Sequence, residues 1–233
     1  MKKLAIVLTL LLCAGAVQAG PIYDLQIGGA YVEGDYVMVP GAVVTAVATY
    51  GCVITKAPYG PGNSVWVYLG AGHTAQIGDL ADVYGVYDEY YDLTELNVAD
   101  YIASDPAAYF LVIGTADVPS PLVVTAAEIM ADPEPYESSI VWISDGFIVT
   151  ELLTYGEWKA ISNEDGVTVI WFDDYWYDET VLNVGDCANW ALGMWTYSFD
   201  VWKLEPFEDG FPLTGCAVPS EQHSFGHVKG LYR

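Results

Sequence analysis

Residues 44–51 read Val-Thr-Ala-Val-Ala-Thr-Tyr-Gly, and residues 149–156 read Val-Thr-Glu-Leu-Leu-Thr-Tyr-Gly, a repeat displaced by about 105 residues. It continues downstream. Ile77-Gly78-Asp79 returns as Val184-Gly185-Asp186, Gly85-Val86-Tyr87 as Gly193-Met194-Trp195, and Leu96 as Leu204. Such a period is too long for a solenoid unit and fits one small domain. The chain therefore reads as two diverged copies of one β-rich module.

Strand signals dominate both copies. In the first, residues 36–48 form one long strand bent at Pro40-Gly41, where proline and glycine favour a bend or bulge. Further strands follow at 52–56, 65–68, 82–87 and 93–98, with a loop over 58–64 rich in proline and glycine. The second copy repeats the order at 140–151, 157–161, 167–172, 187–195 and 201–204. Five antiparallel strands led by a long bent one predict a small Greek-key barrel. The expected fold class is all-β: two tandem five-stranded OB-like Greek-key barrels over 20–115 and 116–212. Residues 106–135 connect them and carry Val118-Pro119-Ser120-Pro121, a linker signal. Thr125-Ala126-Ala127-Glu128 has the form of a capping box and predicts one short helix at 126–131, ended before Pro133.

Residues 1–19 have the form of a secretory signal: Lys2 and Lys3, an apolar run over 4–12, and Val17-Gln18-Ala19 before the cleavage point. The apolar run is too short to span a bilayer, so the expectation is a secreted protein, periplasmic or extracellular, without membrane insertion. Cys52, Cys187 and Cys216 remain after processing. An oxidising compartment permits one disulfide, expected between Cys187 and Cys216; its loop gives ~3 kcal/mol on the chain-entropy account. Cys52 precedes Val53-Ile54 and reads as a buried small hydrophobe. The segment 213–233 forms a polar tail with His223, His227, Lys229 and Arg233, its composition fitting a sorting element and a frayed terminus alike.

After processing, Lys56, Lys159, Lys203, Lys229 and Arg233 face 31 acidic residues, hence a formal charge of −26. Affinity for nucleic acid rests on cationic side chains neutralising phosphates, so this balance opposes DNA and RNA, and anionic membranes with them. It leaves solubility, a saline habitat, or divalent-cation binding by carboxylates as its meaning.

Gly34-Asp35, Val43-Val44-Thr45-Ala46, Val65-Trp66-Val67-Tyr68, Ile77-Gly78-Asp79, Gly85 and Leu93-Thr94-Glu95-Leu96 together form a pattern. It resembles that of the OB-fold modules beside catalytic domains in secreted bacterial nucleases. The second copy is similar through Tyr136-Glu137, Val149-Thr150, Trp158, Val184-Gly185-Asp186, Gly193 and Lys203-Leu204. The resemblance implies a module that assists nucleic-acid binding. Its contact surface would be the face of the second and third strands, the loops 58–64 and 162–166, and the turns 88–92 and 196–200. Two features depart from the pattern: no nuclease domain accompanies the modules, and 58–64 replaces the acidic loop that often precedes the third strand.

Catalytic signals are sparse. No Gly-x-Ser-x-Gly motif is present. His223 and His227 have zinc-helix spacing, but the glycines between and after them weaken a helix. The densest acidic group is Asp173, Asp174, Asp178 and Glu179, an oxygen-rich loop able to hold Ca²⁺ or to lie solvated; no other cofactor is expected. Aromatic residues are the better lead. Seven of the eight tryptophans fall in the second copy, and both faces of 167–172 are apolar, so one face meets another surface. Trp66, Tyr68, Trp158, Trp171, Trp176 and Trp195 are the candidate ligand-binding residues; the alternative is packing between barrels or within their cores. The expected function is non-enzymatic: a secreted binding or envelope structural protein whose partner is a saccharide, a peptide or another envelope protein. An auxiliary nucleic-acid binder and a metal-dependent hydrolase are the alternatives.

Overall fold

The computed structural model describes residues 20–214. The expected signal segment, Cys216 and the tail beyond residue 214 lie outside the described residues. The first unit comprises α1 (Pro21–Gln26), β1 (Tyr36–Val47), β2 (Gly51–Thr55), β3 (Ser64–Tyr68), β4 (Asp79–Tyr90), β5 (Leu93–Asn97) and β6 (Tyr109–Thr115). β7 (Leu122–Val124) and α2 (Ala126–Ala131) lead into the second. It contains β8 (Ile140–Ile143), β9 (Phe147–Leu152), β10 (Trp158–Ser162), β11 (Val169–Phe172), β12 (Cys187–Ala188), β13 (Ala191–Ser198), β14 (Val201–Pro206) and β15 (Leu213–Thr214).

The first unit is a closed barrel in the order β1-β2-β3-β5-β4, with β4 pairing back onto β1. Four of its ladders are antiparallel and β3–β5 is parallel. The expectation of five antiparallel strands overlooked a parity rule: a ring with an odd number of strands cannot alternate direction throughout. Period-two alternation directs Val37, Val39, Val44, Ile54, Val67 and Leu96 inward. Ile22 and Leu25 of α1 join that core. The long first strand bends where expected, its register shifting between Val39 and Ala42 around Pro40-Gly41.

The repeat of sequence is also a repeat of register. In the first unit Val44 faces Ile54 and Ala46 faces Val53, leaving Thr45 as a bulge. In the second, Val149 faces Ala160 and Glu151 faces Lys159, leaving Thr150 as the same bulge. Gly85 lies opposite Val37, and Gly193 opposite Val141. Leu96 sits between Val67 and Tyr87 as Leu204 sits between Phe172 and Trp195. Cys187 faces Ile148 as Leu80 faces Val43. β8 and β9 are thus the two halves of β1, and β12 and β13 the two halves of β4.

Those interruptions correct the expected continuous strand over 140–151. The chain turns at Ser144, Asp145 and Gly146, where the buried Asp145 carboxylate accepts hydrogen bonds from Ser162 Oγ at 2.7 Å and the Ala126 amide at 3.2 Å. With both seam strands broken, the second unit is a curled nine-stranded sheet in place of a continuous closed barrel. Its core substitutes rings for small aliphatics. Trp158 and Phe172 occupy the positions of Cys52 and Val67, and they stack with centroids 5.3 Å apart.

α2 forms where its capping box placed it: the Thr125 hydroxyl accepts from the Glu128 amide, and Glu128 accepts from the Thr125 amide. Two expectations shift. β6, read as part of the connection, extends the first sheet beyond β4. β15, read as tail, pairs with β12 through Thr214 and Cys187. The units meet through a third apolar cluster, in which Ala46, Val53 and Trp66 pack on Ile140, Trp142 and Met194. Across this seam Trp176 Nε1 donates to the Val47 carbonyl at 3.1 Å, and the Thr94 amide donates to Glu137 at 3.2 Å. Among the described residues no helix is long and apolar enough to cross a membrane.

Candidate functional site

Because Val67 and Leu96 point into the first barrel, their neighbours Trp66, Tyr68, Glu95 and Asn97 point out of it. A barrel exterior normally faces water. Here the second unit lies over it, so Glu95 retains only 4% of its exposure. The cover is incomplete: between the units lies a cleft of about 680 Å³, within the usual range for small-molecule sites. One wall carries Tyr50, Trp66, Tyr68, Glu95 and Asn97 of the first unit. Facing it are Tyr175, Met194, Thr196, Ser198 and Glu205 of the second. Trp66 and Tyr175 meet edge to face with centroids 6.4 Å apart.

The β4–β5 and β13–β14 hairpins, with Asp100 just after β5, supply the remaining lining. Both turn through two residues of positive φ: Tyr91 (52°) with Asp92 (64°), and Phe199 (53°) with Asp200 (63°). These are the dihedrals of the hairpin turn that asparagine and glycine ordinarily fill. Left-handed backbone at an aromatic residue is costly, of order 1–2 kcal/mol. It swings the Tyr91 and Phe199 rings toward each other, to 5.5 Å, where both line the cleft.

The electrostatics are as uneven as the shape. Among the described residues, nothing donates a hydrogen bond to the Glu95 carboxyl and no cation pairs with it. Burial, then the charges of Asp88, Asp100 and Glu89, push its pKa up to about 7. Glu205 accepts from the Tyr175 amide at 3.3 Å. Burial and then Asp173 raise it to about 8, against the opposing pull of Lys203 and that amide. Asn97 donates to Asp100 at 3.0 Å. Among the described residues no lysine, arginine or histidine lines the cleft.

Of the six candidate ligand-binding aromatics, the structure brings Trp66 and Tyr68 into the cleft. Trp158 and Trp195 are fully buried in the second core; Trp195 stacks on Trp202 at 6.1 Å. Trp176 is spent on the seam, against Phe207 at 5.4 Å. Trp171 is half-buried beneath the Lys159 ammonium, 4.3 Å from the ring centroid. Besides Trp66, the aromatic lining is made by tyrosines and one phenylalanine. Tyr90-Tyr91 and Phe199 stand at equivalent turns of the repeat, within the turns 88–92 and 196–200 that the resemblance implied as contact surface, although none was singled out as a binding residue.

The acidic loop does not gather its carboxylates as a Ca²⁺ site requires. Asp173 pairs with the buried Lys203 ammonium at 2.9 Å, which also bonds Glu157. Burial alone would lower the Lys203 pKa; the bonds to Glu157 and Asp173 outweigh it and the net direction is upward. Asp178 accepts from the Thr180 amide at 3.1 Å, and Asp174 packs over Gly156. Glu179 begins a short helical turn. Among the described residues no three His, Cys, Asp or Glu side chains are placed to hold a metal ion. His73 is spent locally, its Nε2 2.8 Å from the Ala48 carbonyl. Cys52 is free and fully buried, and Cys187 is buried on β12. The sequence matches no protein-family model, and neither a curated protein nor a solved structure matches it.

Proposed function

We propose that the chain is a secreted, non-enzymatic binding protein whose ligand occupies the cleft between its two barrel-like units. One observation carries this reading: the outward side chains of β3 and β5 are roofed by the second unit without being filled by it. Aromatic faces on both walls, with a few polar groups among them, are the ordinary composition of a ligand pocket. The cleft lies on the strand-three face and the turn between the fourth and fifth strands, where OB-like barrels present ligands. Among the described residues its lining has carboxylates and no cation, which opposes an oligonucleotide there.

The test is a fluorescence and calorimetric titration of the mature protein with oligosaccharides, small organic amines, single-stranded DNA and Ca²⁺. Binding of one class, lost in Trp66→Ala and Tyr68→Ala but kept in Trp171→Ala, is the expected result. Binding that survives both cleft substitutions places the site elsewhere. Micromolar single-stranded DNA binding without divalent metal returns the protein to the nucleic-acid role.

A further inference from the structure

We infer that the cleft takes an organic cation, an alkylammonium group seated against Glu95 and enclosed by the aromatic rings. This rests on the cleft being the ligand site. The repeat supplies the sharpest argument. Glu95 faces Trp66 across the β3–β5 ladder as Lys203 faces Trp171 across β11–β14, so the two hold one position of the duplicated module. At that position the second unit buries a charge and satisfies it, with Glu157 and Asp173 on the Lys203 ammonium. The first unit buries the residue Glu95 to 4% exposure at the cleft wall, and among the described residues nothing supplies its carboxyl with a donor or cation. An unpartnered buried ionisable group is costly and calls for a partner.

What can supply that partner is set by the surroundings. Asp88, Asp100 and Glu205 line the same cleft, so an anion is repelled from every side. A neutral polyol would hydrogen-bond the carboxyls but lacks the net Coulomb attraction of a cation and its attraction to the ring faces. A cation gains from the carboxylates and from the ring faces together, since aromatic rings attract ammonium groups electrostatically and enclose quaternary ones as cages. The formal charge of −24 draws cations toward the molecule from a distance.

The probe is choline, with 3,3-dimethyl-1-butanol as its neutral isostere, titrated calorimetrically into the mature protein at about pH 8.5, above the raised range of Glu95. Choline is expected to bind at least about tenfold more tightly than the isostere. Glu95→Gln, close in shape and uncharged, is expected to cut choline affinity by about tenfold and leave the isostere unchanged. A cooperative melting transition no lower than the parent's establishes that the variant is folded. Choline carries its charge at every pH, so its affinity should fall toward about pH 6 as Glu95 and Glu205 take up protons. Asp88 and Glu89 of β4, Asp100 after β5, and Asp173, Asp174, Tyr175 and Lys203 of the second unit are the other titratable groups around Glu95 and Glu205. A trimethyllysine tetrapeptide run beside choline locates the source: tighter binding assigns the ammonium to a peptide side chain, weaker binding to a free small molecule. Equal affinity for choline and its isostere, or choline binding indifferent to Glu95→Gln, overturns the inference. A saccharide bound in the cleft with no preference for charge overturns it too, while leaving the cleft as the ligand site. Absence of every ligand overturns both.

Discussion

Tyr91 and Phe199 occupy the same position in two duplicated hairpins, and their rings touch, centroids 5.5 Å apart, at the cleft between the units. Each is held at positive φ, where a bulky residue is strained and asparagine is at ease. Strained backbone persists where the side chain it carries is needed.

That relationship predicts an uncoupling of stability from binding. Tyr91→Asn removes left-handed strain of ~1 kcal/mol and forfeits a ring contact of similar size, ~0.5–1.5 kcal/mol. Thermal melting should therefore move little, while affinity for the cleft ligand falls. A variant that is clearly more stable and binds as well as the parent shows that the ring serves neither purpose.

The two repeat glycines should differ in their tolerance of a methyl group. Gly85 and Gly193 hold one register position, opposite Val37 and Val141. A Cβ on Gly85 would meet Leu96 Cβ and Val98 Cγ2 at 3.2 Å and the Asn97 carbonyl at 3.3 Å, contacts that a shift of a few tenths of an ångström relieves. On Gly193 it would overlap the Glu205 carbonyl and lie 2.8 Å from Pro206 Cα, and that backbone belongs to the paired β14 strand. Gly193→Ala is expected to cost ~2–3 kcal/mol and Gly85→Ala under ~1 kcal/mol. Urea unfolding of the two variants measures this; equal losses would mean that β14 yields as easily as a side chain.

Much of this architecture was legible because it is local. The Val-Thr repeat carried its bulge with it, and Thr125 and Glu128 announced α2 through a capping geometry confined to four residues. The resemblance implied the strand-three face and both turns, but the cleft itself was not legible in the residue pattern, because the outward face of β3 and β5 looks in sequence like any solvent face. Only the packing of Trp66 against Ile140 and Met194 turns it inward. Tryptophan count misled for the related reason that Trp158 and Trp195 fill a core where the first unit uses Cys52 and Tyr87. The break of the second unit's first strand depends on Asp145 meeting Ser162, a contact 17 residues away.

The cysteines should behave in two ways. Cys52 is fully buried, and burial pushes its thiol pKa far upward, with Asp79 adding to the effect. A thiol that stays protonated is a poor nucleophile. Native protein should therefore leave Cys52 unmodified by iodoacetamide, and unfolding should release it. Cys187 is expected to be oxidised with Cys216, which lies outside the described residues. Mass spectrometry of the non-reduced digest should find a 187–216 peptide pair. Rapid native alkylation of Cys52, or a peptide pair containing it, contradicts this assignment.

Buried carboxyls should make the unliganded protein less stable as the solution turns alkaline. Glu95 is raised from 4.5 to about 7, and Glu205 from 4.5 to about 8, chiefly by burial. Glu137, at the seam, is raised from 4.5 to about 8 by burial and then Glu134, with its bonds to Thr94 pulling the other way. A carboxyl whose folded pKa is raised binds more protons folded than unfolded between the two values. Its contribution is therefore intact below about pH 4.5, is lost progressively as pH climbs through 7 to 8, and is flat above. The groups shifted downward, Glu128 and Asp165, are exposed and ionised throughout the upper part of that window, so they add no slope there. Surface self-repulsion works in the same direction as the buried groups but is screened by salt. The urea midpoint at about pH 8.5 should thus lie below that at about pH 5.5, and the gap should persist in about 1 M salt. Glu137→Gln and Glu205→Gln should each narrow it, because a neutral amide has no proton to lose. A midpoint that stays level across this range, or a slope that both glutamine variants retain in full, would place the charge of these groups in water and not in the seam between the two units.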